Sequence, residues 1–281
     1  MAPTVYFNGA YVSKDEVRIS PDDRGFLFAD GIYEVVRSYH GNVFALDAHL
    51  RRLANGLRAI EIGGVDVHAI GGVVQGLLTR NNLTNDATVY LQITRGAAPR
   101  VHSFPDPLPP PTVYAEARAF SPRGDPAVGI PVITVPDVRW ARCDIKSVAL
   151  LPNCLANQRA RAAGAVEAIF VRDGVALEGT ASSFFAVIDG EVRTAPASNY
   201  ILPSITRDVV VRLCQETSVP HREYPVLTEE LARASELFMA GTTLEVMPVV
   251  SLDGRPVGNR RPGPVASKLY AAFRELALKG P

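Results

Sequence analysis

The chain has 281 residues, 47% of them hydrophobic and 21% charged, a composition that describes a well-cored globular protein of one large domain or two small ones and excludes a disordered or fibrous chain. Lys+Arg and Asp+Glu number 29 each, so no net charge draws the protein to nucleic acid or anionic lipid. No apolar run approaches the roughly 20 residues of a membrane helix, and the opening MAPTVYFNGAYVSKDE has no basic leader pattern, so a cytoplasmic location is expected.

In chain order, TVYF and AYVS flank Asn8-Gly9, whose tolerance of positive φ predicts a hairpin. From Asp47, a candidate N-cap, the apolar positions Leu50, Leu53, Ala54, Leu57 and Ile60 carry helical spacing, and Val67, Ile70, Val73, Val74, Leu77 and Leu78 repeat it. Val89, Leu91 and Ile93 then alternate as a strand does, and 112–118 reads as a second strand returning to the same sheet. Nine of the 22 prolines fall between Pro105 and Pro136, most of them in PDPLPPP and then in SPRGDPAVGIP, stretches where missing N–H groups disfavour helix and central strand. The expected organisation is α+β, two α/β domains: a smaller one over 1–118, a linker over 119–125 and a larger one over 126–281. In the second, VITV, EAIFV, FFAVI, ELFM and VMPVV read as strands, with Asp173-Gly174, Asp189-Gly190 and Asp253-Gly254 as turns. Helices fit at about 153–163, 204–217, 228–234 and 262–278.

Arginine outnumbers lysine 25 to four, and only Lys146 among the four lysines is embedded in an apolar stretch, RWARCDIKSVALL. Apolar surroundings disfavour its ammonium and make it a nucleophile; the alternative is a lysine paired with Asp144 at a strand edge. The segment LPSITRDVV puts Ser204 and Thr206 at the start of a helix, where free N–H groups and hydroxyls outline a phosphate cradle or an ordinary cap. GlyThrThr at 241–243 follows a strand and could close on the same anion. Glu178 sits beside Gly179 after a strand, and Arg100 with His102, two residues apart, would point the same way in an extended segment and could hold a carboxylate. The five histidines show no ligand spacing and no metal is expected; Cys143, Cys154 and Cys214 lack CxxC spacing and read as buried thiols.

Six motifs in order, DRGFLFADGIYEVVRSYHG, TRGAAPRVHSFP, RWARCDIKSVALL, EGTASSFF, SITRDVVV and GTTLEVMPV, resemble those of the fold-type IV pyridoxal-phosphate enzymes. That group holds the branched-chain and D-amino acid aminotransferases and aminodeoxychorismate lyase, and the D-amino acid branch is the nearest pattern. The resemblance implies pyridoxal 5′-phosphate as cofactor, Lys146 as the Schiff-base lysine and Glu178 as the partner of the pyridine nitrogen. Arg52, Ile205, Thr206 and Thr242 look like phosphate holders, with Leu202 among the cofactor contacts. Tyr33 looks like the pocket tyrosine near the lysine or the substrate carboxylate, with Val35 beside it. Arg100 and His102 match the carboxylate trap of the D-amino acid enzymes, which reaches the pocket from the neighbouring subunit, so a homodimer is implied. The expected reaction is transamination between a D-amino acid and 2-oxoglutarate or pyruvate; a branched-chain or (R)-amine transaminase and a pyruvate-eliminating lyase are the alternatives. Three positions depart from the pattern: Ser183 stands where the family usually has Asn, Gly241 where the nearest branch has Ser, and Ser204 where it has Gly.

Overall fold

The computed structural model describes residues 2–279, and they form two compact units. The first comprises the described residues up to Phe120 together with Ile145–Ala149; the second comprises Ser121–Asp144 and Leu150–Lys279. The sequence reading assigned everything after 125 to the second domain; the five residues around Lys146 group instead with the first.

In the first unit the strands are β1 (Thr4–Phe7), β2 (Ala10–Ser13), β3 (Gly31–Tyr39), β4 (Asn42–Val43), β5 (Ala87–Thr94) and β6 (Thr112–Ala119), and they form one antiparallel sheet in the order β2-β1-β6-β5-β3-β4. The hairpin at Asn8-Gly9 is present, with φ of 46° and 96°. Short helix α1 (Arg24–Phe28) precedes β3, and helices α2 (Leu46–Ala59) and α3 (Val67–Arg80) cover one face of the sheet. The alternating Val89, Leu91 and Ile93 of β5 meet Leu53, Leu57, Val74 and Leu77 there. Asp47 does not cap α2: Ala45, in the left-handed region, holds that position, and Asp47 falls in the first turn, where its charge still favours the helix dipole.

Ile145–Ala149 runs along the start of β3. Tyr33 N–H donates to Lys146 O (3.0 Å), Val148 N–H donates to Gly31 O (3.1 Å), and Ile32 bridges Ser147. These two backbone hydrogen bonds, which together make the Ile32–Ser147 bridge, fix the Lys146 backbone to the strand that carries Tyr33.

The second unit contains β7 (Ile130–Pro136), β8 (Glu167–Arg172), β9 (Val175–Gly179), β10 (Ser183–Ile188), β11 (Glu191–Thr194), β12 (His221–Glu223), β13 (Val226–Leu227), β14 (Glu236–Gly241), β15 (Glu245–Leu252) and β16 (Arg255–Pro256). They pair in the order β12-β11-β10-β14-β15-β7-β8-β9-β13, with β16 on β15, and a further pairing of β9 with β10 closes the middle six strands into a ring. Phe184, Ala186, Ile188, Leu237, Met239, Met247 and Val249 belong to one core cluster of this ring. Helix α4 (Leu151–Ala162) packs on β7 and β8, α5 (Ile205–Glu216) on β14, and α6 (Pro264–Lys279) on β14, β15 and α5. The Asp-Gly turns at 173, 189 and 253 all adopt positive φ. The segment predicted as a helix over 228–234 is a 3-10 helix over Thr228–Arg233; six residues with one bond at their start, Leu227 N–H to Glu230 Oε2 (3.2 Å), do not propagate an α-helix.

The closing register pairs Ser183 with Glu178, so the Ser183 departure sits at the seam of the ring. Gly179 allows a close approach there: a Cβ would lie 2.7 Å from Met239 Cε and closer still to Ser182 Oγ, so those side chains would have to shift. Among the described residues no helix is long and apolar enough to cross a membrane and no cluster could hold a metal ion. Cys143 and Cys214 are buried, whereas Cys154 lies exposed on α4, against the expectation of three buried thiols.

Candidate active site

In the first unit, β3 sends alternate side chains to its two faces. Tyr33 and Val35 share one face. Glu34 points to the other, where α2 places His49 and Arg52 three residues apart and hence on one side of the helix. Arg52 Nε donates to Glu34 Oε1 and Arg52 Nη2 to Oε2, both at 2.7 Å, and His49 Nδ1 lies 2.8 Å from Oε2. Burial alone would raise the Glu34 carboxyl, but the Arg52 fork outweighs it and holds Glu34 at about 2. Glu34 is therefore the acceptor and His49 Nδ1–H the donor. Burial lowers the His49 pKa, and Arg52 and Lys146 add to that fall against the pull of Glu34. Arg52 is thus oriented by a buried carboxylate that the sequence reading did not single out.

A carboxyl held at about 2, against 4.5 for an unperturbed glutamate, contributes stability that is complete above about pH 4.5 and is lost as the pH falls toward 2. The shift corresponds to roughly 3 kcal/mol. Denaturant midpoints measured at about pH 5 and about pH 3 should differ more for the native protein than for Glu34→Gln; equal slopes would remove Glu34 from the acid response.

Lys146 Nζ lies 4.1 Å from the centroid of the Tyr33 ring, a cation–π placement that orients the amine. Asp144, the alternative partner considered for it, is forked by Arg142 Nε (2.9 Å) and Nη2 (3.0 Å). Tyr33 in turn tilts against Tyr90, ring centroids 5.9 Å apart.

Arg100 and His102 lie exposed in the loop after β5. Both approach Phe28: the Arg100 guanidinium is 5.3 Å from the ring centroid, and His102 meets the ring edge-on at 5.6 Å and 71°. The structure thus brings the two to one ring, although the loop that carries them is bent rather than extended.

In the second unit, Glu178 lies near the end of β9 and is buried. Oε1 accepts from Arg139 Nη1 (2.5 Å) and Oε2 from Leu202 N–H (3.1 Å), so the contribution of Leu202 comes through its backbone. Burial pushes the Glu178 carboxyl up to about 7, against the opposing Arg139 charge. Arg139 was not singled out from the sequence; Asp137, whose side chain is fully buried, fixes it through Nε (2.9 Å) and Nη2 (3.1 Å).

Ser204 is the N-cap of α5, its Oγ accepting from Arg207 N–H at 3.2 Å, so the ordinary-cap alternative holds for this hydroxyl. Ile205 and Thr206 begin the helix with N–H groups that have no partner within the helix, and Thr242 lies in the turn between β14 and β15. Gly241 ends β14; a Cβ there would press to 3.2 Å on Ala181 O, which gives the absence of a side chain a steric reason. A further buried carboxylate, Glu167, collects the N–H and hydroxyl of Thr180 and the hydroxyl of Ser182 (3.0 Å), bracing the turn after Glu178.

Comparison with known proteins gives three findings. A model of the amino-transferase class IV family matches residues 31–252. Among curated proteins, the chain is 40% identical to a D-alanine aminotransferase of Staphylococcus haemolyticus over 96% of both chains, and 38% identical to a D-alanine aminotransferase of Bacillus licheniformis over 98% of this chain and 97% of that one. Among solved structures, a branched-chain amino acid aminotransferase from Escherichia coli superposes with a TM-score of 0.89 at 26% identity, covering 98% of this chain and 94% of that one.

Proposed function

The chain belongs to the class IV aminotransferases, enzymes that work with pyridoxal 5′-phosphate, and from that premise we propose that it moves the amino group of a D-amino acid such as D-alanine to 2-oxoglutarate or pyruvate. The donor set suits the cofactor. Glu178 spends two of a carboxylate's roughly four acceptor sites on Arg139 and Leu202, which leaves acceptor capacity for a protonated ring nitrogen. Thr206 and Ile205 at a helix N-terminus, Thr242 in a turn and the Arg52 guanidinium are the donor types that hold a phosphate. When bound, the cofactor supplies an electron sink for the charge left at the substrate α-carbon.

The chain's own groups do the rest. Lys146 Nζ would hold the cofactor and, when free, would carry the proton to and from the substrate α-carbon, because it is already positioned there. Glu178 would accept a bond from the protonated ring nitrogen and so hold the proton there. Tyr33, with its ring under Lys146 Nζ, orients the amine, and Val35 lines the same strand face. Arg100 and His102 bind the substrate carboxylate, which fixes the side from which the amino acid enters.

One observation carries the D-amino acid reading: the side chains of an arginine and a histidine, exposed and side by side on Phe28, have among the described residues no other ring, hydrogen-bond or ion-pair partner. Their donors are available to a carboxylate. Their loop exposes Val101, Phe104 and Leu108, and helix α1 exposes Phe26 (76%), apolar surface that suits a second copy of the chain, and in this reading Arg100 and His102 serve the partner's site in a homodimer. The test is a rate comparison. D-alanine with 2-oxoglutarate should turn over at least about tenfold faster, in kcat/KM, than L-leucine with 2-oxoglutarate or (R)-1-phenylethylamine with pyruvate. Preference for either of the latter, or pyruvate release from aminodeoxychorismate with no acceptor, would replace the proposal with one of its alternatives.

A further inference from the structure

The loop that carries Arg100 and His102 is irregular and exposed, yet its backbone is held by a side chain that is only 3% exposed, Arg24. Helix α1 exists to place that arginine. Asp23 caps it through Gly25 N–H (2.8 Å) and accepts from the hydroxyls of Thr94 (2.9 Å) and Thr112 (2.6 Å), while Arg24 N–H donates to Gly96 O (2.9 Å). The guanidinium then gives Nε to Asp30 (2.8 Å), Nη1 to Val101 O (2.6 Å) and Ser103 O (3.4 Å), and Nη2 to His102 O (3.3 Å). Three consecutive carbonyls are thereby tied to one buried charge. Arg95 forks Asp30 from the other side (2.8 and 2.9 Å), so the anchor cannot swing.

Phe28, at the end of the same helix, completes the device. Its ring centroid lies 4.8 Å from the Arg24 guanidinium carbon and receives both Arg100 and His102. Burying an arginine is costly unless its donors are used, and here Nε goes to Asp30 while Nη1 and Nη2 go to loop backbone; contact with the Phe28 ring restricts the His102 ring and the Arg100 guanidinium before any ligand arrives.

We propose that Arg24 and Phe28 are positioning residues for substrate recognition: Arg24 fixes the backbone of Val101–Ser103, Phe28 fixes the side chains of Arg100 and His102, and carboxylate affinity rather than the chemical step depends on the pair. This rests on Arg100 and His102 being the carboxylate trap.

The experiment is a single-turnover titration of cofactor-loaded enzyme with D-alanine, read at the visible band, in Arg24→Lys, Phe28→Leu, Arg100→Ala and the combinations Arg24→Lys/Arg100→Ala and Phe28→Leu/Arg100→Ala. Arg24→Lys and Phe28→Leu should each raise the apparent Kd for D-alanine about tenfold while the saturating rate falls far less. On the Arg100→Ala background each should add much less than it does alone, since contacts serving one element are not additive. If Arg100→Ala raises the apparent Kd but neither Arg24→Lys nor Phe28→Leu does, or if their effects multiply fully with Arg100→Ala, or if they lower the saturating rate and cofactor retention in step with affinity, the positioning role is overturned while the trap stands. An Arg100→Ala enzyme with unaltered affinity would remove the trap itself, and this inference with it.

Discussion

Lys146→Ala should lower kcat for D-alanine by about 10⁴-fold while the protein still binds pyridoxal 5′-phosphate. The magnitude follows from what is removed. In the proposed reaction Nζ is the attachment point of the cofactor, and it is the amine held against Tyr33, 4.1 Å from the ring centroid, by a backbone fixed to β3 at Tyr33 and Gly31. Water replacing it has neither the position nor the basicity, and positioning alone accounts for several orders of magnitude in such proton transfers. Cofactor binding should persist because the groups proposed to hold the ring and phosphate, Glu178, Thr206, Thr242 and Arg52, lie outside the changed residue. Absorbance and single-turnover rates check both halves; a variant with more than about a tenth of the native rate would mean that another base moves the proton.

Restoration of activity in a mixed dimer is the second large effect. Lys146→Ala homodimers lack the amine, and Arg100→Ala/His102→Ala homodimers lack the trap, so each should be nearly inactive at low D-alanine. Co-expressed with different tags and purified as the hybrid, they should form the proposed two-fold dimer, in which, when the trap acts on the partner's site, one site carries every change and the other none. The hybrid should then show about half the native activity per dimer. Should Arg100 and His102 act on their own chain's site, every site in the hybrid retains one defect and the hybrid stays as inactive as its parents.

The sequence was most legible where one residue decides a local conformation. Asn8-Gly9 and the three Asp-Gly pairs predict turns whose φ values the structure bears out, because few other residues tolerate that region. The alternation of Val89, Leu91 and Ile93 gives a strand with its face, since period 2 against one core leaves no choice of side. Helix α2 was legible in extent but not at its start: Asp47 satisfies the composition of a cap, yet the chain enters the helix through a left-handed Ala45 that no propensity favours. The six-strand ring could not be read, because its closing pair, Glu178 with Ser183, is a register fixed by the whole barrel.

The candidate site divides the same way. Lys146 stood out because lysine is rare in this chain and its surroundings are apolar, but its membership of the first unit depends on pairing with β3, a contact more than a hundred residues away in sequence. Arg52 was named without Glu34, and Glu178 without Arg139, because a buried ion pair leaves no spacing signal when its members lie on different elements. Arg24 escaped for a different reason: α1 is only five residues long, too short for helical periodicity, and in an arginine-rich chain one more arginine is not conspicuous.

The central claim, that a lysine-bound cofactor in this chain accepts the amino group of a D-amino acid, is tested most directly by the visible spectrum of the purified, cofactor-loaded protein before and after D-alanine, with L-alanine as control. The account predicts a yellow band that disappears with D-alanine and persists with L-alanine. A band that ignores both alanines, or that bleaches equally with L-alanine, would contradict it.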